Sequence, residues 1–173
     1  MISFPASQEG HINIVEYLIQ CGDNPLVQNH DGWSPLHVAS MNGHLDILQA
    51  LSRHNPFYLL TPGSEQRSPV HYAAENGHIN IMEHIMEVFE HYDDLLNQSC
   101  NRGWTPMHWA AFGGQFEMVK YLDEHMDGLT DLPNYLGETP SYIAEQLGHF
   151  EIVNFLRLYN PSSTTETILI LPE

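Results

Sequence analysis

Twelve histidines, two cysteines and 22 carboxylates give this chain the raw material for a metal centre or an acid–base site, and their spacing decides whether either can form. Seven of the histidines stand in recurring surroundings. His37, His71 and His108 follow a Ser/Thr-Pro pair by two positions, and His11, His44, His78 and His149 each follow a glycine. Equivalent side chains in packed helical units stand about 8 to 10 Å apart, whereas zinc needs its nitrogen ligands at about 2 Å. These columns therefore do not share a metal. We expect neutral imidazoles that hydrogen-bond loop backbone. Of the other five, His30, His54, His84, His91 and His125, the best constellation is His84, Glu87 and His91 along one helical face. Seven residues at a 1.5 Å rise set its two imidazoles about 10 Å apart, too far to chelate. No nucleophile-elbow, zinc-protease, phosphate-loop or dinucleotide fingerprint occurs. Cys21 and Cys100 are too distant for a CxxC pair, and we expect two free thiols. The expectation is a protein that is not an enzyme, with no catalytic residue, no metal and no cofactor.

Charge narrows the partners further. Only five Lys and Arg oppose 22 Asp and Glu, a formal net charge of -17. A polyanionic surface repels phosphates, so no nucleic acid and no anionic membrane is expected, and a basic protein or peptide surface is the electrostatic complement. No apolar run approaches the 18 or so residues that span a bilayer, and "MISFPASQEGH" lacks the charged and apolar regions of a signal peptide. We expect a monomer in the cytoplasm, or elsewhere inside the cell. A hydrophobic content of 42% is enough for a packed core.

The elements that position these residues repeat. "GWSPLHVASMNGHLDIL" (32–48), "QRSPVHYAAENGHINIM" (66–82) and "GWTPMHWAAFGGQFEMV" (103–119) align without a gap, and "GETPSYIAEQLGHFEIV" (137–153) follows them. Their Ser/Thr-Pro pairs begin at Ser34, Ser68, Thr105 and Thr139, in steps of 34, 37 and 34 residues, and "ASQEGHINIVEYLI" (6–19) is an earlier half-unit. Ser34-Pro35-Leu36-His37 with Ala39, and Thr105-Pro106-Met107-His108 with Ala110, resemble the T-P-L-H-x-A pattern of ankyrin repeats at a period near 33. The resemblance covers residues 6 to 158. It implies an all-α solenoid of helix-turn-helix units joined by β-hairpin-like loops, a structural role for the Pro-x-His histidine, and binding of partners through finger and inner-helix positions.

The residues explain such a unit directly. Each Ser or Thr can cap a helix whose N1 proline needs no hydrogen-bond acceptor. Ala39, Ala73, Ala74, Ala110 and Ala111 allow close helix approach, and Gly43, Gly77, Gly114 and Gly148 end the first helix. A second helix reads as an apolar stripe: Leu45, Ile47, Leu48 and Leu51, with its equivalents in later units. One unit cannot hide that stripe, so stability should come from stacking. We expect a single domain over residues 1–160, in units of about 1–30, 31–63, 64–100, 101–135 and 136–160, with a tail at 161–173 whose "ILIL" packs back as a strand or binds elsewhere. The second full unit lacks the turn glycine found at Gly32, Gly103 and Gly137, and residues 87–100 carry three extra residues, in a longer helix or an irregular finger. In the last unit Ser141-Tyr142 and Glu145 break the pattern, as suits a terminal unit facing water.

Between the fixed positions lie those the repeat leaves free, and all three tryptophans fall on them. Trp33, Trp104, Trp109 and Phe112 are large aromatics of the kind that anchor interfaces, Met41 and Tyr72 extend the patch, Glu75 and Glu138 belong to its polar rim, and Gln146 is a further free position. These nine are the expected partner-binding residues. The function expected is non-catalytic protein recognition, as a scaffold or adaptor, for a protein or peptide with a basic or mixed apolar and basic surface. The alternative is a regulatory or targeting appendage of a larger enzyme, channel or secreted effector.

Overall fold

The computed structural model describes residues 3–89, 98–126 and 128–159; residues 90–97, His91 among them, Asp127, and residues 160–173 with the whole tail lie outside the described residues. Ten α-helices, in five consecutive pairs, are described: α1 (Ser3–Gln8) and α2 (Ile12–Gln20); α3 (Pro35–Met41) and α4 (Leu45–His54); α5 (Pro69–Asn76) and α6 (Ile79–Val88); α7 (Pro106–Phe112) and α8 (Phe116–His125); α9 (Pro140–Leu147) and α10 (Phe150–Tyr159), with short 3-10 turns at Pro56–Leu60 and Ser64–Gln66. There is no strand among the described residues. The first helices stack in order, α1 on α3, α3 on α5, α5 on α7 and α7 on α9, while the second helices form an outer row.

Sequence chemistry starts each inner helix. Ser34, Ser68 and Thr105 form capping boxes in which a histidine takes the place of the usual Glu or Gln, and proline occupies N1. Alanines 39, 73, 74, 110, 111 and 144 are fully buried where inner helices meet. The outer stripe is buried as its spacing requires: Ile47, Leu48 and Leu51, then Ile81, Met82 and Ile85, Met118, Val119 and Leu122, and Ile152, Val153 and Leu156. Each such side chain contributes about 1.5–3 kcal/mol by leaving water. At the last pair the stripe is left incomplete, with Phe150 66% exposed, and Tyr142 and Leu147 of α9 are exposed as well.

Two irregularities have local explanations. The outer helix before the insertion is no longer than its counterparts, ending at Val88 with the same ten residues as α4 and α8. The missing turn glycine is replaced by strained residues. Gly32, Gly103 and Gly137 donate their N–H to the carbonyl three residues earlier, each at φ near +75 to +80°, and Gln66 makes the same bond to Gly63 at φ 61, with Glu65 at φ 55 before it. A side chain in the left-handed region costs about 1–2 kcal/mol, against about 0.5–1 kcal/mol of extra chain entropy for glycine. Gln66→Gly is therefore expected to raise stability by about 0.5–1 kcal/mol, seen as a higher urea midpoint at unchanged slope.

Candidate functional site: the aromatic ladder

The repeat histidines are scaffold. Nδ1 of His37, His71 and His108 accepts the backbone N–H of Ser34, Ser68 and Thr105 at 3.1 Å. That leaves Nε2–H to donate to the carbonyls of Thr61, Gln98 and Glu138, at 2.9, 2.9 and 3.1 Å in the following loop. Burial lowers all three pKa values, to about 4 for His71 and for His108, so the rings are neutral at pH 7. The histidines after the glycines work backwards instead. His44, His78 and His149 donate from Nε2 to the carbonyls of Gln8, Met41 and Phe112 at the end of the preceding inner helix, and Gln115 does so to Glu75 where that histidine is missing. Among the described residues no group of His, Cys, Asp and Glu is placed to hold a metal, and Cys21 and Cys100 are both free. His84 lies 3.0 Å from the Ser52 hydroxyl, which itself donates to the Gln49 carbonyl.

The aromatic positions do converge, into one connected stack across three units. Trp33 packs on Tyr72 with ring centroids 4.8 Å apart. The Arg67 guanidinium then lies 4.1 Å above the Tyr72 ring and 3.5 Å from the Trp109 ring. Trp104 closes on Trp109 at 4.6 Å, and Phe112 meets both tryptophans edge-on, at 5.5 and 5.7 Å. Arg67 is also ion-paired with Glu75 in the same unit, and its side chain is only 12% exposed. A guanidinium between two aromatic faces and a carboxylate is worth about 2 kcal/mol per desolvated ring contact.

This geometry redistributes the expected binding residues. Tyr72 and Trp109 are 1% and 5% exposed, so the expectation that these side chains are free of the fold's demands does not hold for them: they wall the Arg67 cage. Trp33, Met41 and Trp104 are half-buried, Phe112 is 40% exposed, and Gln146 is exposed. Glu75 is half-buried, its carboxylate on Arg67. Glu138 is half-buried, its carboxylate held by Asn134 Nδ2. Arg67 itself was not among the expected nine. Its signal was visible, as the one cation at a free position otherwise occupied by Trp33, Trp104 and Glu138.

Paired helices stacked side by side, each inner helix locked to its neighbours' loops by side-chain hydrogen bonds, make this a helical-repeat solenoid with its aromatic ladder on the inner-helix and finger side. The family model for ankyrin repeats in three copies matches residues 4–95 and 85–166. The chain belongs to the ankyrin-repeat family. Its likeness to a Notch-regulated ankyrin repeat-containing protein B of Danio rerio is 40% identity over 40 residues, 23% of this chain and 36% of that protein. With the tyrosine-protein kinase HTK16 of Hydra vulgaris it shares 28% identity over 158 residues, 89% of this chain but 20% of the kinase. A rat mitochondrial glutaminase, liver isoform, is 37% identical over 57 residues, 10% of its length. The matches thus span about a third or less of these relatives. Ankyrin repeats are generally protein–protein interaction modules, and no helix among the described residues is long and apolar enough to cross a membrane.

Proposed function

We propose that this chain is a non-catalytic recognition module, a scaffold or adaptor that holds a protein segment along its concave inner-helix and finger face. The observation that carries this reading is the ladder itself. Trp33, Met41, Trp104 and Phe112 present apolar surface on a face whose backing, Tyr72, Arg67 and Trp109, is rigidly packed. A preorganised aromatic patch binds with little ordering cost, and such residues dominate interface energetics. Glu75, Glu138 and Gln146 supply its polar rim, and the net charge of -17 favours a basic or mixed partner surface. The five units act as one monomeric domain inside the cell.

The test uses residues that the fold can spare. With a partner obtained by affinity capture and then purified, Phe112→Ala combined with Met41→Ala is expected to weaken binding at least 30-fold, about 2 kcal/mol, with unchanged circular dichroism. Undiminished affinity would exclude this surface. Trp109→Ala is a poor probe, because it opens the Arg67 cage. The second reading, an appendage that targets or regulates a larger protein, is favoured by the Hydra kinase, whose match takes in most of this chain and a fifth of the kinase.

A further inference from the structure

One cavity on the inner-helix and finger face is not filled by any side chain of the described residues. It holds about 300 Å³ between the first and second inner helices, walled by Phe4, Trp33, Val38 and Met41, with Asp31 and Gln8 among its polar lining. Trp33 is the end of the ladder, its ring already packed on Tyr72. The one charged group in the lining is an acceptor, the Asp31 carboxylate, set beside the side-chain amides of Gln8, Asn29 and Asn42. Asn42 gives its Nδ2–H to the Val38 carbonyl, Gln8 gives its Nε2–H to Glu9, and the exposed Asp31 carboxylate has neither donor nor cation among the described residues.

None of the chain's own cations is spare. Arg53, Arg67, Arg102, Lys120 and Arg157 make all five Lys and Arg, and each is paired with a glutamate: Glu16, Glu75, Glu65, Glu117 and Glu145 respectively. The neighbouring unit shows what such surroundings hold. There a guanidinium lies against aromatic rings with a carboxylate at its edge, in the Arg67 cage. The cavity at Trp33 offers an aromatic wall, apolar sides for a methylene stem and an unpaired carboxylate, without the cation. A planar guanidinium suits this better than an ammonium, because it stacks on a ring and donates sideways at once.

We infer that the Phe4–Trp33–Met41 cavity receives an arginine side chain of the bound segment, with the guanidinium against Trp33 and Asp31 as its counter-ion. The inference rests on the concave-face reading and names the chemistry of its occupant. It extends the ladder by one step, from the incoming arginine to Trp33, Tyr72, Arg67 and Trp109.

A phage library of random dodecapeptides panned on the full chain tests it. Recovered binders are expected to share an arginine, to weaken at least tenfold when it is replaced by citrulline, and to weaken comparably on Asp31→Asn protein whose near-ultraviolet circular dichroism is unchanged. A lysine in its place should recover less than half of that loss in log affinity. Binders that depend on Phe112 but are indifferent to citrulline and to Asp31→Asn would overturn the arginine pocket and leave the concave reading standing. Failure to recover any binder that a concave-face variant weakens would overturn both.

Discussion

Acidification from pH 6.5 to 4 is expected to remove up to about 6 kcal/mol of stability through His71 and His108 alone, as much as many domains possess in total. Burial holds both rings neutral, with pKa values lowered from 6.5 to about 4. Between those pH values the unfolded chain binds a proton at each position that the native state refuses. Unfolding then takes up protons, so stability is intact above pH 6.5 and falls as the pH drops towards 4. Lowering each pKa from 6.5 to about 4 corresponds to about 3 kcal/mol per histidine. Burial lowers His37 and His84 as well, adding in the same direction. The exposed Asp131 carboxyl, raised by desolvation, opposes them weakly. Urea titrations at pH 7.5, 6, 5 and 4.5 measure the slope. His71→Gln with His108→Gln should flatten it, since glutamine can accept at its oxygen and donate from its amide nitrogen without titrating. A wild-type midpoint that does not move between pH 7 and 4.5 would contradict the neutral, doubly bonded imidazoles.

Gly113→Ala is expected to destabilise by about 3 kcal/mol, the upper part of the range for overpacking. Its backbone is ordinary, at φ -73°, so the requirement is one of space. A Cβ on Gly113 would overlap the backbone carbonyl oxygen of Glu75, which also accepts from Gln115 Nε2 at 3.2 Å. A side-chain neighbour could rotate away, but a helical carbonyl cannot, so α5 and α7 must separate. Asn42 and Asn76 occupy the matching place in the two preceding units, where each bonds the carbonyl four residues back. Both are exposed, and Asn42→Ala and Asn76→Ala should stay within about 0.5 kcal/mol of the parent. Thermal melts of the three variants compare the positions directly. Equal losses would mean that the close approach at Gly113 has no special energetic weight.

The repeat was legible because its signals are local. Ser34-Pro35, Ser68-Pro69 and Thr105-Pro106 each start a helix within their own few residues, and the alanines and glycines mark its close contacts and its end. The scaffold role of the histidines could be read from their recurrence, and the structure supplies the carbonyls they reach, 24 to 30 residues away. The aromatic face was legible as a set of free positions, but not its depth. Whether Tyr72 and Trp109 meet solvent depends on Arg67 lying between them, a contact that joins one unit to the next. Phe4 escaped notice because it stands in the irregular opening unit, where no repeat position points to it. Gln66 illustrates the opposite limit: the absent glycine was plain, whereas the left-handed backbone kept without it is imposed by the loop's hydrogen bond from Gly63 N–H to Arg67 O.

The ladder also determines how this molecule looks to light. All three tryptophans belong to it, Trp33 at one end and the Trp104–Trp109 couple at the other. Indole emission therefore comes entirely from the inner-helix and finger face, with a cation against one chromophore to tune its colour. Two indoles 4.6 Å apart should couple as an exciton pair and leave a signed doublet in the ultraviolet circular dichroism. Filling the cavity beside Trp33 and loosening the far end then alter different bands of one spectrum, so occupancy and integrity can be followed separately without adding a label.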